Sequence, residues 1–93
     1  MIAEAVFPLG RVLMTRGVLQ HVQSGKLNPA GYLRRHAGGD WGDLSADDKR
    51  LNDEGLKGER RLFSSYEIDP QFKLWIITEW DRSVTTLLLP SEY

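Results

Sequence analysis

Apolar residues recur along this chain at two different intervals, and the changeover falls near Gly58. Before it the spacing is helical. Val18, Leu19 and Val22 fall on one side of a helix, Thr15 stands where its hydroxyl can cap that helix, and Gly25 is placed to end it. Asn28-Pro29 combines a capping side chain with proline at the first helical position, so a second helix starts there. It brings Leu33 and Ala37 to one face and Tyr32 and His36 to the neighbouring one, and Gly38-Gly39 stops it. Ser45-Ala46-Asp47-Asp48 has the form of a capping box with Asp in the usual Glu position, and it opens a third helix carrying Leu51 and Leu56. Its acidic pair sits where the helix dipole favours negative charge. Beyond Gly58 the interval drops to two. Leu62, Ser64, Tyr66 and Ile68 share one face of a strand, and a turn follows at 69–72. Residues 73–80 are apolar on both faces, as in a central strand; a tight turn spans 81–83, and 84–89 form a last strand that Pro90 ends. Strands joined by turns this short are antiparallel neighbours. A further short strand is predicted over 9–15, with Pro8 and Gly10 at its start. The fold class is therefore α+β: helices in the first two thirds pack on one face of a C-terminal three-stranded antiparallel sheet, and the first strand is available as a fourth member at an edge.

Composition bounds the rest. The 93 residues support one domain, 1–93. Apolar residues make up 41% and charged residues 27%, which places the chain among folded globular proteins. There is no cysteine, so there is no disulfide framework, thiolate-bound zinc or thiol nucleophile; this suits a reducing cytosol. The N-terminus shows no signal-peptide pattern, and no apolar run approaches the ~20 residues that span a bilayer, so a cytoplasmic location without membrane contact is expected. The net charge of -1 disfavours a nucleic-acid partner.

Three groups of side chains could carry chemistry, and each has a bland alternative. His36, Asp40 and Asp43 lie at a helix end and the following loop; an imidazole and two carboxylates suit a divalent metal or an acid–base pair, and equally suit a helix cap and bonds to loop amides. We assign them no metal, and no cofactor is implied. Glu79, Arg82, Thr85 and Thr86 flank the last turn; a carboxylate, a guanidinium and hydroxyls on an antiparallel sheet match the layout of barnase-like and toxin-type ribonucleases, with His36 brought in from the helical part. The alternative is strand pairing and a solvated arginine. Trp41, Trp75 and Trp80 with Tyr32, Tyr66 and Tyr93 could stack bases, or simply pack. His21 is expected on an exposed helix side with no role. Gly38-Gly39 lacks the residues of a phosphate loop, and no nucleophile elbow, zinc-binding helix motif or dinucleotide fingerprint is present.

Three stretches carry a resemblance: Phe7-Pro8-Leu9-Gly10-Arg11, the run from His36 through Gly38-Gly39-Asp40-Trp41-Gly42-Asp43-Leu44, and the run from Trp75-Ile76-Ile77-Thr78-Glu79 through Asp81-Arg82-Ser83-Val84 to Glu92-Tyr93. With them the chain resembles, over nearly its whole length, a family of small bacterial proteins encoded on plasmids and other mobile elements. Arg16 stands where that family usually has proline. The resemblance implies a mobile-element context and no particular chemistry. Two functions remain open. One is an interaction protein that occupies a surface of a protein partner, for example to inhibit a host defence system, with Trp41, Asp40, Asp43 and Arg82 as binding residues. The other is a metal-independent ribonuclease with His36, Glu79, Arg82 and Thr85 as catalytic residues. The exposed edge strand leaves both a monomer and a homodimer open.

Overall fold

The computed structural model of the chain describes residues 5–58 and 60–93. Its elements are β1 (Arg11–Met14), α1 (Arg16–Gln23), α2 (Pro29–Ala37), α3 (Ala46–Gly55), β2 (Leu62–Asp69), β3 (Phe72–Thr78), β4 (Val84–Leu88) and a closing 3-10 turn, Pro90–Glu92. Each helix starts where a capping side chain was expected. Thr15 accepts from the Val18 amide, Asn28 from Ala30 and Ser45 from Asp48, each satisfying an amide that the helix itself leaves without a partner.

The sheet is four-stranded and mixed, in the order β1-β4-β3-β2. The three C-terminal strands are antiparallel, as their short turns require. The expected edge strand is present, shorter than its apolar run, and it lies parallel to β4. The connection permits parallel pairing: the chain passes through three helices and two strands before β4, ample length for a crossover. Two spans also differ from expectation. β3 ends at Thr78, so Glu79 and Trp80 belong to the turn, and Trp80 is exposed. On α3 the buried positions are Asn52 and Gly55 while Leu51 faces outward; four-residue spacing from Asn52 to Leu56 marks the packed side.

The helices cover one face of the sheet. Tyr66, Leu74, Ile76 and Leu87 alternate onto that face and pack with Val18 and Leu27, flanked by Val22, Tyr32 and Leu33. A second cluster joins Leu62 to Phe7 and Trp41, with Leu44 and Leu56 around it. Burying a side chain of this size contributes roughly 1.5–3 kcal/mol each, which is how so short a chain holds together. Among the described residues no helix is long and apolar enough to cross a membrane.

The two edges of the sheet are treated differently. Along β2 the outward amides of Phe63, Ser65 and Glu67 are all bonded: to the Asn52 side-chain oxygen (3.2 Å), the Trp41 carbonyl (3.2 Å) and the Asp43 carboxylate (2.6 Å). The Phe63 carbonyl accepts from the Asn52 amide group and the Ser65 carbonyl from the Asp43 amide, both at 2.6 Å. Helix α3 and the 40–43 loop therefore seal that edge as a fifth strand would. No described residue does the same for β1.

Candidate functional site

The residues singled out from sequence do not meet in a cleft. His36 is 0% exposed. Its Nδ1 lies 2.5 Å from the Ser64 hydroxyl and its Nε2 2.9 Å from the Thr78 hydroxyl. Thr78 is 2.7 Å from Thr85, whose hydroxyl donates to the Leu9 carbonyl at 2.6 Å. A carbonyl can only accept, so that last bond fixes the direction of all the others. Thr85 donates to Leu9, Thr78 to Thr85, and His36 Nε2–H to Thr78, leaving Nδ1 to accept from Ser64. Burial holds the imidazole neutral and pushes its pKa down to about 4. The helix-cap role weighed for His36 is thus replaced by a core role: the ring faces the sheet, and its two nitrogens satisfy buried hydroxyls that would otherwise cost about 1–3 kcal/mol each.

Arg82 is likewise committed. Its guanidinium donates to the carbonyls of Gly55, Gly58, Arg60, Glu79 and Trp80, tying the α3–β2 connection to the β3–β4 turn. Glu79 faces Arg61 at 3.6 Å. His36 and Thr85 are joined through Thr78 in the interior, whereas Arg82 and Glu79 sit at the end of the sheet. The proposed catalytic set has no shared solvent-reachable surface, because two of its four members are wholly buried. In this arrangement His36 and Thr85 cannot touch a substrate.

The binding set is structural as well. Trp41 is buried, and its indole N–H donates to Asp53 at 2.9 Å. Asp40 accepts from Arg35 (2.7 Å) and from the Gly42 amide (3.1 Å), and the Arg35 bond holds its carboxyl below the usual range. Asp43 is spent on Glu67. The loop-amide role expected of both holds for Asp40, which takes the Gly42 amide, whereas Asp43 bonds the Glu67 amide of β2. Among the described residues no three His, Cys, Asp or Glu groups converge as metal ligands. The aromatic residues divide between layers: Tyr32 and Tyr66 meet on the helix side at 5.3 Å, while Trp75 and Tyr93 meet on the other face at 5.8 Å, so they form no single stacking platform. His21 is half-buried and stacks on Phe72 at 4.1 Å.

What remains is the sheet face that the helices leave open. Phe63, Ile77, Thr86 and Leu13 are cross-strand neighbours in one row over all four strands, and Trp75 and Leu88 are paired in the next. Trp75 meets Phe63 edge to face at 4.9 Å. The closing turn brings Tyr93 alongside, where its hydroxyl accepts from Arg61 at 3.1 Å. Arg61, Phe63, Trp75, Ile77 and Tyr93 line a groove of about 350 Å³ whose walls are almost entirely apolar. The charge of Arg61 is offset by Glu79, so the groove presents carbon surface with a neutralised polar rim. In the sequence, residues 73–80 are apolar on both faces without naming what covers the second. The odd-numbered positions of that run, Trp75 and Ile77, were the signal: among the described residues no helix packs on their face, where Ile77 is buried and Trp75 half-buried.

The chain matches no protein-family model, no curated protein and no solved structure.

Proposed function

We propose that this chain is a non-catalytic interaction protein, and that the open sheet face centred on Trp75 takes an apolar segment of a protein partner. The observation that carries the reading is the groove itself: the half-buried rings of Phe63 and Trp75 and the exposed Tyr93 stand around a buried Ile77, with one paired arginine at the rim. Tryptophan, tyrosine and arginine are the side chains that most often anchor protein interfaces, since they offer large rigid area with little entropy to lose. A near-neutral chain with an apolar groove suits a protein surface better than a phosphate backbone. The resemblance to mobile-element proteins extends the reading to a host protein as partner, with a defence complex as the class such a chain would block.

Affinity capture from a bacterial host lysate, run in parallel with wild type and Phe63→Lys, tests the reading. A protein recovered in stoichiometric amount by wild type and lost with Phe63→Lys is expected. If no captured protein depends on Phe63, the groove is not the binding site.

A further inference from the structure

We infer that β1 is a homodimer edge: two copies of this chain pair antiparallel through Arg11–Met14 about a two-fold axis at Leu13, joining their sheets into one. The inference is independent of what the groove binds.

The amides of Arg11 and Thr15 donate to Ser83 and Leu87 of the neighbouring strand segment. Alternate residues of a parallel strand bond to the same side, so Arg11, Leu13 and Thr15 turn their backbone groups inward and Val12 and Met14 turn theirs out. A two-fold axis at Leu13 sets Val12 opposite Met14 of the second copy, and Met14 opposite its Val12. Both pairs are then of the hydrogen-bonded kind, and every outward N–H and C=O of the strand finds a partner.

Side chains agree with this register. Val12, Leu13 and Met14 are 42–43% exposed although all three are large and apolar. Exposed edges are usually blunted by shortness, charge, proline or a bulge; β1 is short and carries Arg11, but Val12–Met14 present neither charge, proline nor bulge, while the opposite edge is sealed bond for bond. The axis brings Leu13 against its own copy and keeps the two Arg11 side chains apart. Each Arg11 falls across from Thr15 of the second copy, whose hydroxyl is bonded to the Glu92 carboxylate. No described salt bridge uses Arg11 or Glu92, so the pairing sets an unpaired cation near a carboxylate that takes hydrogen bonds from Thr15, Gly17 and Leu89 but has no described ion-pair partner. A foreign strand would meet the same backbone groups but has no reason to supply this reciprocal fit.

The absence of cysteine makes the test clean. In the proposed register the Leu13 pair is the non-hydrogen-bonded kind, with Cα atoms about 4.5 Å apart, which a disulfide can bridge. Sedimentation equilibrium of wild type across the micromolar range is expected to show the mass rising from 10.6 kDa toward twice that value. Leu13→Cys is expected to crosslink to itself in high yield under mild oxidation. Val12→Cys, which faces Met14 of the other copy, should crosslink poorly. Leu13→Lys, at an exposed position that leaves the monomer fold intact, is expected to stay at 10.6 kDa with an unchanged circular dichroism spectrum. A wild type that remains monomeric throughout that range overturns the inference. So does a dimer in which Leu13→Cys crosslinks no better than Val12→Cys, because its interface then lies elsewhere.

Discussion

His36 and Thr78 stand 42 residues apart and share one buried hydrogen bond of 2.9 Å, whose direction is dictated by a backbone carbonyl two hydrogen bonds further along the chain of hydroxyls. A helix residue, a central-strand residue, an edge-side strand residue and the segment before β1 are thereby held in one polar line through an apolar core. Such a line specifies how helix and sheet dock, since any other register would strand a donor.

The proton arrangement can be read directly. At neutral pH, nitrogen-15 NMR of the imidazole is expected to show His36 as the Nε2–H tautomer, with Nδ1 unprotonated. The opposite tautomer would require Thr78 to donate into the ring, leaving Thr85 to find another donor for its oxygen.

Burial of the neutral ring also makes folding depend on pH. In the unfolded chain the imidazole takes up a proton below its ordinary pKa of 6.5, whereas the folded ring resists until about 4. A depressed folded pKa means that stability is complete above 6.5 and declines as pH falls toward 4. The loss at the bottom of that window is on the order of 3 kcal/mol. Urea midpoints measured from pH 7 to pH 4 should fall more steeply for wild type than for His36→Gln. Identical slopes would mean the ring reaches water.

Thr85 tests the far end of the same line. Thr85→Val removes the donor to Leu9 and the acceptor for Thr78 while preserving shape, so it should cost about 1–3 kcal/mol. Thr85→Ser, which retains the hydroxyl, should cost less. Thermal unfolding of the two variants separates the hydrogen bonds from the packing.

Much of this architecture was legible in the sequence, and what was missed shares one cause. The three caps, the change of spacing after Gly58 and the two hairpins running from β2 through β3 to β4 are local signals, resolved within a few residues. The parallel pairing of β1 with β4 is not, because a strand's own alternation does not name its neighbour. Asn52 on α3 carries no local signal of its role; its amide is a surrogate strand for Phe63, eleven residues on. Arg82 looked like a turn cation, yet three of its five carbonyls come from residues 22 to 27 positions earlier. The chemistry-bearing types at His36, Asp40, Asp43 and Arg82 drew attention because such residues usually face solvent. Here they are spent on holding loops and helices to a small sheet.

Arg82 combines that clamp with an unusual backbone, and the two effects can be separated. Its φ is 61°, in the left-handed region that costs a residue with a Cβ roughly 1 kcal/mol. Arg82→Ala loses the five carbonyl bonds and retains the backbone cost. Arg82→Gly loses the bonds and removes that cost, so it should be more stable than Arg82→Ala by about 1 kcal/mol. Both should fall below wild type, and amide exchange over 55–60 should quicken in both. Equal stability of the alanine and glycine variants would mean that the turn relaxes once the side chain is gone.

Gly42 tests whether the 40–43 loop really seals the β2 edge. Its φ is +77°, and a Cβ there would lie 2.1 Å from the Ser65 carbonyl oxygen and 2.6 Å from the Tyr66 ring. Gly25 has nearly the same φ, +78°, with nothing within 4 Å of the added atom. Alanine at either site bears the same backbone cost of about 1 kcal/mol, but only at Gly42 must the loop also lift from the strand. Gly42→Ala should therefore lose about 2–4 kcal/mol, against about 1 kcal/mol for Gly25→Ala. Lifting the loop frees the Ser65 amide and carbonyl, so amide exchange at Ser65 should accelerate in the first variant and not in the second. An unsealed edge also invites pairing with other chains, and Gly42→Ala should aggregate at concentrations where wild type and Gly25→Ala remain in solution. Matching behaviour of the two variants would show that the loop rests against β2 without holding its edge.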